Sequence, residues 1–212
     1  MNNSLFPIEV CEYIIDSCRA GLRGGSNASY ATWCQTALVC SAWLPRSRFN
    51  LFYEVELTAD SHVGLLLRTL QETPHFADMV VRLAVYHGAK NPTYVPFSRL
   101  SRPQLLKKCV VLDLSEVYWD LYPPRYSDTC LYGWSGMVVL RLKIQSRVLK
   151  GCLRFIWSLR QLQSLSLLWN YLDSSAESTH SRTTPGPKGG RCKNLRSLKL
   201  EVRYILCYTR CV

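Results

Sequence analysis

The stretch LQSLSLLWNYL, from Leu162 to Leu172, carries the pattern that organises most of this 212-residue sequence. It follows the spacing L-x-x-L-x-L-x-x-N-x-L at every fixed position. Successive copies start 29, 28, 25 and 33 residues apart, and the looser ones begin at Val80, Cys109, Met137 and Leu195. A pattern repeated at this interval predicts a row of similar units, each with a short strand whose leucines are buried when the units stack.

The spacing resembles that of leucine-rich repeats, whose units span roughly 20 to 29 residues. Between the predicted strands, Ser61–Thr73 and Leu149–Gln161 have the periodicity of covering helices. We expect the side chain of Asn170 to satisfy backbone groups between units. The predicted fold class is α/β (α+β), an irregular solenoid with parallel strands, and a generic leucine-rich α/β domain is the alternative.

Two regions depart from a regular array. The longest interval contains a stretch rich in Ser, Thr, Pro and Gly, which predicts an insertion loop at about residues 174–192. The chain ends at Val212, soon after the last copy and without the polar capping unit that repeat arrays need. We therefore expect an array that is incomplete at the C-terminus.

The residues between and beside the strand leucines should share one face, because side chains alternate across a strand. This face is mixed with a basic bias, and it is the predicted substrate-binding surface. Its candidate binding residues are Tyr86, Arg141, Lys143 and Lys199, with Asp113, Ser166, Leu168 and Glu201 beside them.

Charge is unevenly distributed along the chain. Residues 1–60 carry a net charge of −2 and residues 61–212 a net charge of +13, which gives the total of +11. A basic region of this size attracts nucleic acid, anionic membrane or an acidic protein, or is simply a solvated surface. A basic repeat scaffold that binds RNA or another polyanion is therefore one functional alternative.

The sequence contains no recognisable catalytic or metal-binding motif. Its ten cysteines include no C-x-x-C pair, its four histidines are far apart, and it lacks G-x-S-x-G, Walker and H-E-x-x-H motifs. We expect the cysteines to be reduced, small buried hydrophobic residues. The prediction is a binding protein without a catalytic site, metal or cofactor.

The N-terminal part contains an unusually apolar stretch, TWCQTALVCSAW, from Thr32 to Trp43. It predicts a helix from about Tyr30 to Leu44, stopped near Pro45, with no polar face. The stretch is interrupted by polar residues too often for a membrane span, and the N-terminus lacks a signal peptide. We expect a protein of the cytoplasm or nucleus, in which the repeats or another protein cover this helix.

Residues 5 to about 57 resemble an F-box. The matching residues are Phe6, Pro7, Ile8 and Glu9 at the family's Leu-Pro-x-Glu opening, Ile14 and Ile15 at its helix-one isoleucine, and LVCSAW, Leu38 to Trp43, at its Leu-Val-Cys-x-x-Trp core. With the downstream repeats, the chain resembles the F-box proteins with C-terminal leucine-rich repeats found in basidiomycete fungi.

The resemblance implies an F-box domain at residues 1–57 and a repeat region at residues 58–212. It implies a non-catalytic substrate-recognition subunit of an SCF-type (cullin-RING) ubiquitin ligase. The F-box would bind a Skp-type adaptor, and through it a cullin, while the repeats would bind an acidic or phosphorylated protein substrate. The residues implied for the adaptor interface, or for the packing that shapes it, are Phe6, Pro7, Ile8, Ile14, Leu38, Val39 and Trp43.

Overall fold

The computed structural model of the chain describes residues 7–20, 27–86, 105–118, 134, 136–146, 150–173 and 192–206. The chain divides into two compact units, Met1–Val55 and Glu56–Val212. Helices and strands are mixed along it, and a six-stranded sheet with parallel pairing is present. The α/β fold class and the parallel strands predicted from the sequence are therefore confirmed.

The first unit contains three described helices, α1 (Ile8–Ala20), α2 (Asn27–Ala37) and α3 (Leu44–Tyr53). The carbonyl oxygen of Pro7 accepts the N–H groups of Val10 at 3.1 Å and Cys11 at 3.3 Å. A proline suits this position because it needs no donor in the first turn of a helix. Cys11 and Ile15, one turn apart, are the described side chains of α1 that are buried.

The predicted helix from Tyr30 to Leu44 is wrong, because α2 ends at Ala37 and a turn follows. The N–H of Leu38 donates to the oxygen of Gln35 at 3.0 Å. This bond spans three residues instead of four, which tightens the last turn of the helix and ends it.

Pro45 starts a helix instead of stopping one. It lies in the first turn of α3, where the missing N–H removes no hydrogen bond. The turn between α2 and α3 leaves Leu38 and Val39 exposed, so this part of the apolar stretch is not covered in the free chain.

The second unit alternates strands with helices. The predicted covering helices at Ser61–Thr73 and Leu149–Gln161 are confirmed as helices at Asp60–Glu72 (α4) and Lys150–Ser158 (α5). The elements from the end of the first unit onward are β1 (Glu54–Leu57), α4 (Asp60–Glu72), a 3-10 turn (Pro74–Asp78), β2 (Arg82–Tyr86), β3 (Val111–Tyr118), β4 (Val139–Gln145), α5 (Lys150–Ser158), β5 (Ser164–Asp173) and β6 (Ser197–Leu206).

The sheet has the strand order β1-β2-β3-β4-β5-β6, and the pairs from β2 to β6 are parallel. Residues at the same position of successive repeat copies pair with each other across the sheet. The fourth positions of the five copies form one row across the sheet, and the sixth positions form another. These rows are Leu83, Leu112, Leu140, Leu165 and Leu198, and Val85, Leu114, Leu142, Leu167 and Leu200.

Burial of these rows changes abruptly at the last strand. In β2 to β5 every residue of both rows is buried. In β6, Leu198 and Leu200 are 61% and 58% exposed. The helices also contribute to the core of the unit, through Val63, Leu66 and Leu70 of α4 and Cys152, Phe155 and Ile156 of α5.

The expected role of Asn170 is not observed. The residue is buried within β5, which continues as far as Asp173, and its Oδ1 atom has no hydrogen-bond partner. Because the strand does not end before Asn170, the backbone there is already engaged in the ladder with β6. The predicted insertion at 174–192 lies outside the described residues except for its last position, Cys192.

No helix in the described ranges is both long enough and apolar enough to cross a membrane.

Candidate functional site

Side chains on one face of the strands β2 to β6 form a mainly polar surface, which we call the polar face. It consists of Arg82 and Tyr86 on β2, Asp113, Ser115 and Glu116 on β3, Arg141, Lys143 and Gln145 on β4, Ser166 and Leu168 on β5, and Lys199, Glu201 and Arg203 on β6. Parallel pairing aligns Asp113, Arg141, Ser166 and Lys199 in one row and Tyr86, Ser115, Lys143, Leu168 and Glu201 in the next. All four candidate substrate-binding residues predicted from the sequence thus belong to these two rows.

Asp113 is the buried acid of the polar face and lies between two arginines. Its Oδ2 accepts Arg82 Nε at 2.7 Å, and Arg141 Nη1 lies 3.2 Å from both carboxylate oxygens. The arginines remain partly exposed, whereas the Asp113 side chain is nearly covered. The cluster therefore carries one net positive charge, held in place by bonds across three strands.

Glu116 reaches the polar face because β3 has a bulge. Its φ angle is +61°, in the left-handed region, and the pairing with β4 shifts between Ser115 and Val117. The extra residue turns Glu116 toward Lys143 and Gln145, which bind its two carboxylate oxygens. Val117 then takes the buried side of the strand.

A shallow depression of about 230 Å³ lies at the centre of the polar face. Its lining combines a tyrosine, two bases, one acid and short polar or apolar residues. Pockets for drug-sized ligands occupy about 300 to 1,000 Å³, so this depression suits a side chain or short segment of a larger partner. The lining residues are Tyr86, Asp113, Leu114, Ser115, Arg141, Leu142, Lys143, Ser166 and Leu168.

The depression brings together three of the four predicted substrate-binding residues, Tyr86, Arg141 and Lys143. The fourth, Lys199, lies two strands from Arg141 in the same row, or about 10 Å away at the usual spacing of strands. Lys199 is exposed on β6, beside the ion pair of Arg203 with Glu201.

Five residues of the polar face were not predicted from the sequence, namely Arg82, Ser115, Glu116, Gln145 and Arg203, and two of them, Arg82 and Glu116, form ion pairs at its centre. Arg82 lies in the repeat copy that begins at Val80, and no role was predicted for it. It is on the same face of β2 as Ala84, which pairs with Asp113 of β3, and it reaches the Asp113 carboxylate from there. Glu116 occupies a position that strict alternation assigns to the apolar side. The bulge could not be predicted from the sequence, because the residue with the positive φ angle is a glutamate and not the glycine that often marks such a position.

Two of the buried cysteines, Cys109 and Cys152, are poor nucleophiles in the folded chain. Burial raises the pKa of the Cys109 thiol to about 12 and that of Cys152 to about 12. Because the thiolate is the reactive form, both are inert near neutral pH. Among the described residues no group of three or more Cys, His, Asp or Glu side chains is placed to hold a metal ion.

The N-terminal unit presents a second candidate surface, which we call the apolar turn: Leu38 and Val39, which follow α2. Their side chains are 85% and 60% exposed. On α1, Val10, Tyr13 and Ile14 are exposed at i, i+3 and i+4, beside the buried pair Cys11 and Ile15.

The other residues implied by the F-box resemblance differ in their exposure to solvent. Pro7, Ile8 and Ile14 are exposed, and Trp43 is half-buried at the start of α3. Phe6 lies outside the described residues. Trp33, the first apolar residue of the stretch that ends at Trp43, is buried.

Polar bonds that the sequence did not predict join the three helices. Asp16 on α1 accepts Arg46 Nε at 2.8 Å and Asn50 Nδ2 at 2.9 Å, both from α3. Ser47 Oγ of α3 donates to Thr36 Oγ1 of α2 at 3.1 Å. Because Ser47 and Asn50 are buried, these bonds satisfy groups that water does not reach.

Compared with known proteins, the chain matches no family model, no curated protein and no solved structure.

Proposed function

We propose that this chain is a non-catalytic substrate-recognition subunit of an SCF-type ubiquitin ligase. The first unit binds a Skp-type adaptor, and the polar face of the second unit binds a protein substrate. The observation that carries the proposal is the exposure of Leu38 and Val39, at 85% and 60%, within the motif that resembles the F-box core. Burying a large apolar side chain is worth about 1.5 to 3 kcal/mol, so a partner that covers both gains several kcal/mol.

The apolar stripe of α1 supports the same proposal. Val10, Tyr13 and Ile14 add exposed apolar area to the N-terminal unit. Exposed apolar surface concentrated in one small unit is characteristic of a protein–protein interface. The internal bonds of Asp16 with Arg46 and Asn50 hold α1 on α3 without using any of these exposed side chains.

The charges of the polar face favour a protein substrate over a polyanion. Each of its three acids is already paired: Asp113 with Arg82 and Arg141, Glu116 with Lys143, and Glu201 with Arg203. With five bases and three acids, the polar face keeps a net charge of only +2, which matches one acidic or phosphorylated side chain better than a run of phosphates. A mixed surface with a shallow depression instead suits an acidic or phosphorylated side chain in a protein segment.

The test is co-purification of the full chain with a recombinant Skp-type adaptor. We expect Leu38→Asp and Val39→Asp each to abolish the complex, because a charge at an apolar contact must be desolvated there. Leu65→Asp on α4 is the matched control, since Leu65 is also an exposed leucine but lies in the other unit. The control is expected to bind like the parent.

Circular dichroism of the variants separates loss of binding from loss of folding, and exposed positions should tolerate these changes. Failure of the parent chain to bind the adaptor, or equal binding by the Leu38 and Val39 variants, would contradict the proposal. High-affinity RNA binding that weakens steeply with added salt would instead favour the polyanion-binding scaffold.

A further inference from the structure

Among the described strands, β6 forms one edge of the sheet, and three apolar side chains on it are exposed. It pairs with β5 along all ten of its residues and is last in the strand order. Leu198, Leu200 and Val202 lie on the side that is buried in the preceding strands, yet all three are exposed in β6. An edge with these properties is a template for pairing with another strand.

Along β6, the backbone N–H and C=O groups of successive residues point alternately toward β5 and toward the edge. The N–H of Ser197 donates to Gln163 of the neighbouring segment at 3.0 Å. Because successive N–H groups of a strand point in opposite directions, those of Lys199 and Glu201 also face β5. The backbone groups of Leu198, Leu200 and Val202 therefore face the open edge.

When two copies of β6 pair antiparallel, a basic residue of one copy can face an acidic residue of the other. An antiparallel copy centred on Leu200 places Lys199 opposite Glu201 of the second copy, and does so twice by symmetry. It also places Leu198 opposite Val202. Lys199 and Glu201 then form a non-hydrogen-bonded pair, in which facing Cα atoms are about 4.5 Å apart.

We propose that β6 is a dimerisation edge, on which a second copy of this chain pairs antiparallel with its own β6 in the register centred on Leu200. The contact is isologous, as closed two-fold dimers require. The two sheets become continuous, and the exposed Leu198, Leu200 and Val202 of each copy shield those of the other. This inference does not depend on the proposed ligase role.

Neighbouring registers are less favourable. Centring the pair on Lys199 or on Glu201 sets a charge opposite its own copy, which destabilises a strand pair. Centring on Val202 moves Lys199 away from Glu201 of the second copy, whereas in the Leu200 register Glu201 can keep Oε1 on Arg203 and offer Oε2 to Lys199. Lys199 has no acidic partner within the described part of the chain, so only the Leu200 register supplies one.

Light scattering after gel filtration tests the dimer with the full chain. The parent should have twice the chain mass of 24.3 kDa. Lys199→Glu should be monomeric, because two acids then face each other, and the swap Lys199→Glu with Glu201→Lys should restore the dimer. Lys107→Glu makes the same charge change at an exposed turn outside β6 and should remain dimeric.

Oxidative cross-linking tests the register. Leu200→Cys should give a covalent dimer above the level of the parent chain, since facing residues of a hydrogen-bonded pair are about 5.5 Å apart at Cα, within disulfide range. Val202→Cys should not. A monomeric parent at every concentration, a dimer insensitive to Lys199→Glu, or cross-linking through position 202 instead of 200 would overturn the proposal.

Discussion

Arg141 of β4 stands opposite Asp113 of β3, and its Nη1 atom lies 3.2 Å from both carboxylate oxygens of Asp113. Arg82 approaches the same carboxylate from β2. One acid thus ties together three neighbouring strands on the polar face. Since the Asp113 side chain is nearly covered, these bonds are less screened by solvent than those of an exposed ion pair.

Replacing Asp113 by Ala should lower the free energy of unfolding of the second unit by about 1 to 3 kcal/mol, because two guanidinium groups lose their acceptor. Urea denaturation, with hydrogen exchange of the β3 and β4 amides, measures the change. Glu72→Ala is the matched control, since its pair with Arg68 is about 70% exposed at both ends; we expect a loss of less than about 0.5 kcal/mol. Equal losses in the two variants would contradict the structural role of Asp113.

The left-handed backbone at Glu116 predicts an unusual order of stabilities. Glycine adopts φ near +61° freely, whereas a β-branched residue is strained there. Both Glu116→Gly and Glu116→Val remove the bonds to Lys143 and Gln145. The valine variant should nevertheless be less stable than the glycine variant by about 1 to 2 kcal/mol. Thermal denaturation of the pair checks this, and the reverse order would exclude the bulge.

Asp16→Ala should destabilise the first unit selectively. Asp16 accepts hydrogen bonds from Arg46 and from the buried Asn50, so its loss leaves an unsatisfied amide and removes the main polar bonds between α1 and α3. We expect a loss of about 1 to 3 kcal/mol and faster hydrogen exchange in α1 and α3. Exchange in β3 and β4 is the internal control. A uniform change throughout the chain would argue against the local role of Asp16.

The buried thiols make stability depend on alkaline pH. Burial raises the pKa of Cys109 and of Cys152 to about 12 in the folded chain, whereas an unfolded thiol titrates near about 8.5. Above that value the unfolded state releases protons that the folded state retains. Stability is therefore fully present below about pH 8.5 and is lost as the pH rises toward 12, by about 1.4 kcal/mol per pH unit for each thiol.

Denaturation curves measured from pH 8 to pH 11 test this slope, with Cys152→Ala as the variant in which one of the two contributions is removed. The same thiols should resist maleimide until the chain unfolds, while the exposed Cys40 should react at once. Rapid labelling of Cys152 in the folded chain would contradict its burial.

Much of the second unit could be predicted from the sequence, because its repeat spacing determines which residues meet. Leu83, Leu112, Leu140, Leu165 and Leu198 align in the sheet as they align in the repeat copies. Alternation along each strand then assigned Arg141 and Lys143 to the face opposite the leucines. Local periodicity is sufficient for both inferences, since it depends only on backbone geometry.

The N-terminal unit was less predictable. Apolar residues continue from Trp33 to Trp43 without a polar face, and that pattern does not indicate where a helix ends. The end at Ala37 is marked by a hydrogen bond within the last turn, and α3 starts at Leu44 with Pro45 and Arg46 in its first turn, where Arg46 binds Asp16 of α1. Tertiary contacts override local propensity in such a segment.

By itself, the sequence determined the α/β class, the repeat register and the identity of the polar face, because these follow from spacing and alternation along the backbone. Only the tertiary structure decided that Asp113 is bound from two strands, that a bulge brings Glu116 to Lys143, and that Leu38, Leu198 and Leu200 are exposed. Exposure and cross-strand bonding depend on which segments meet in space. The sequence shows that a residue is apolar, but it does not show whether a neighbouring segment covers that residue.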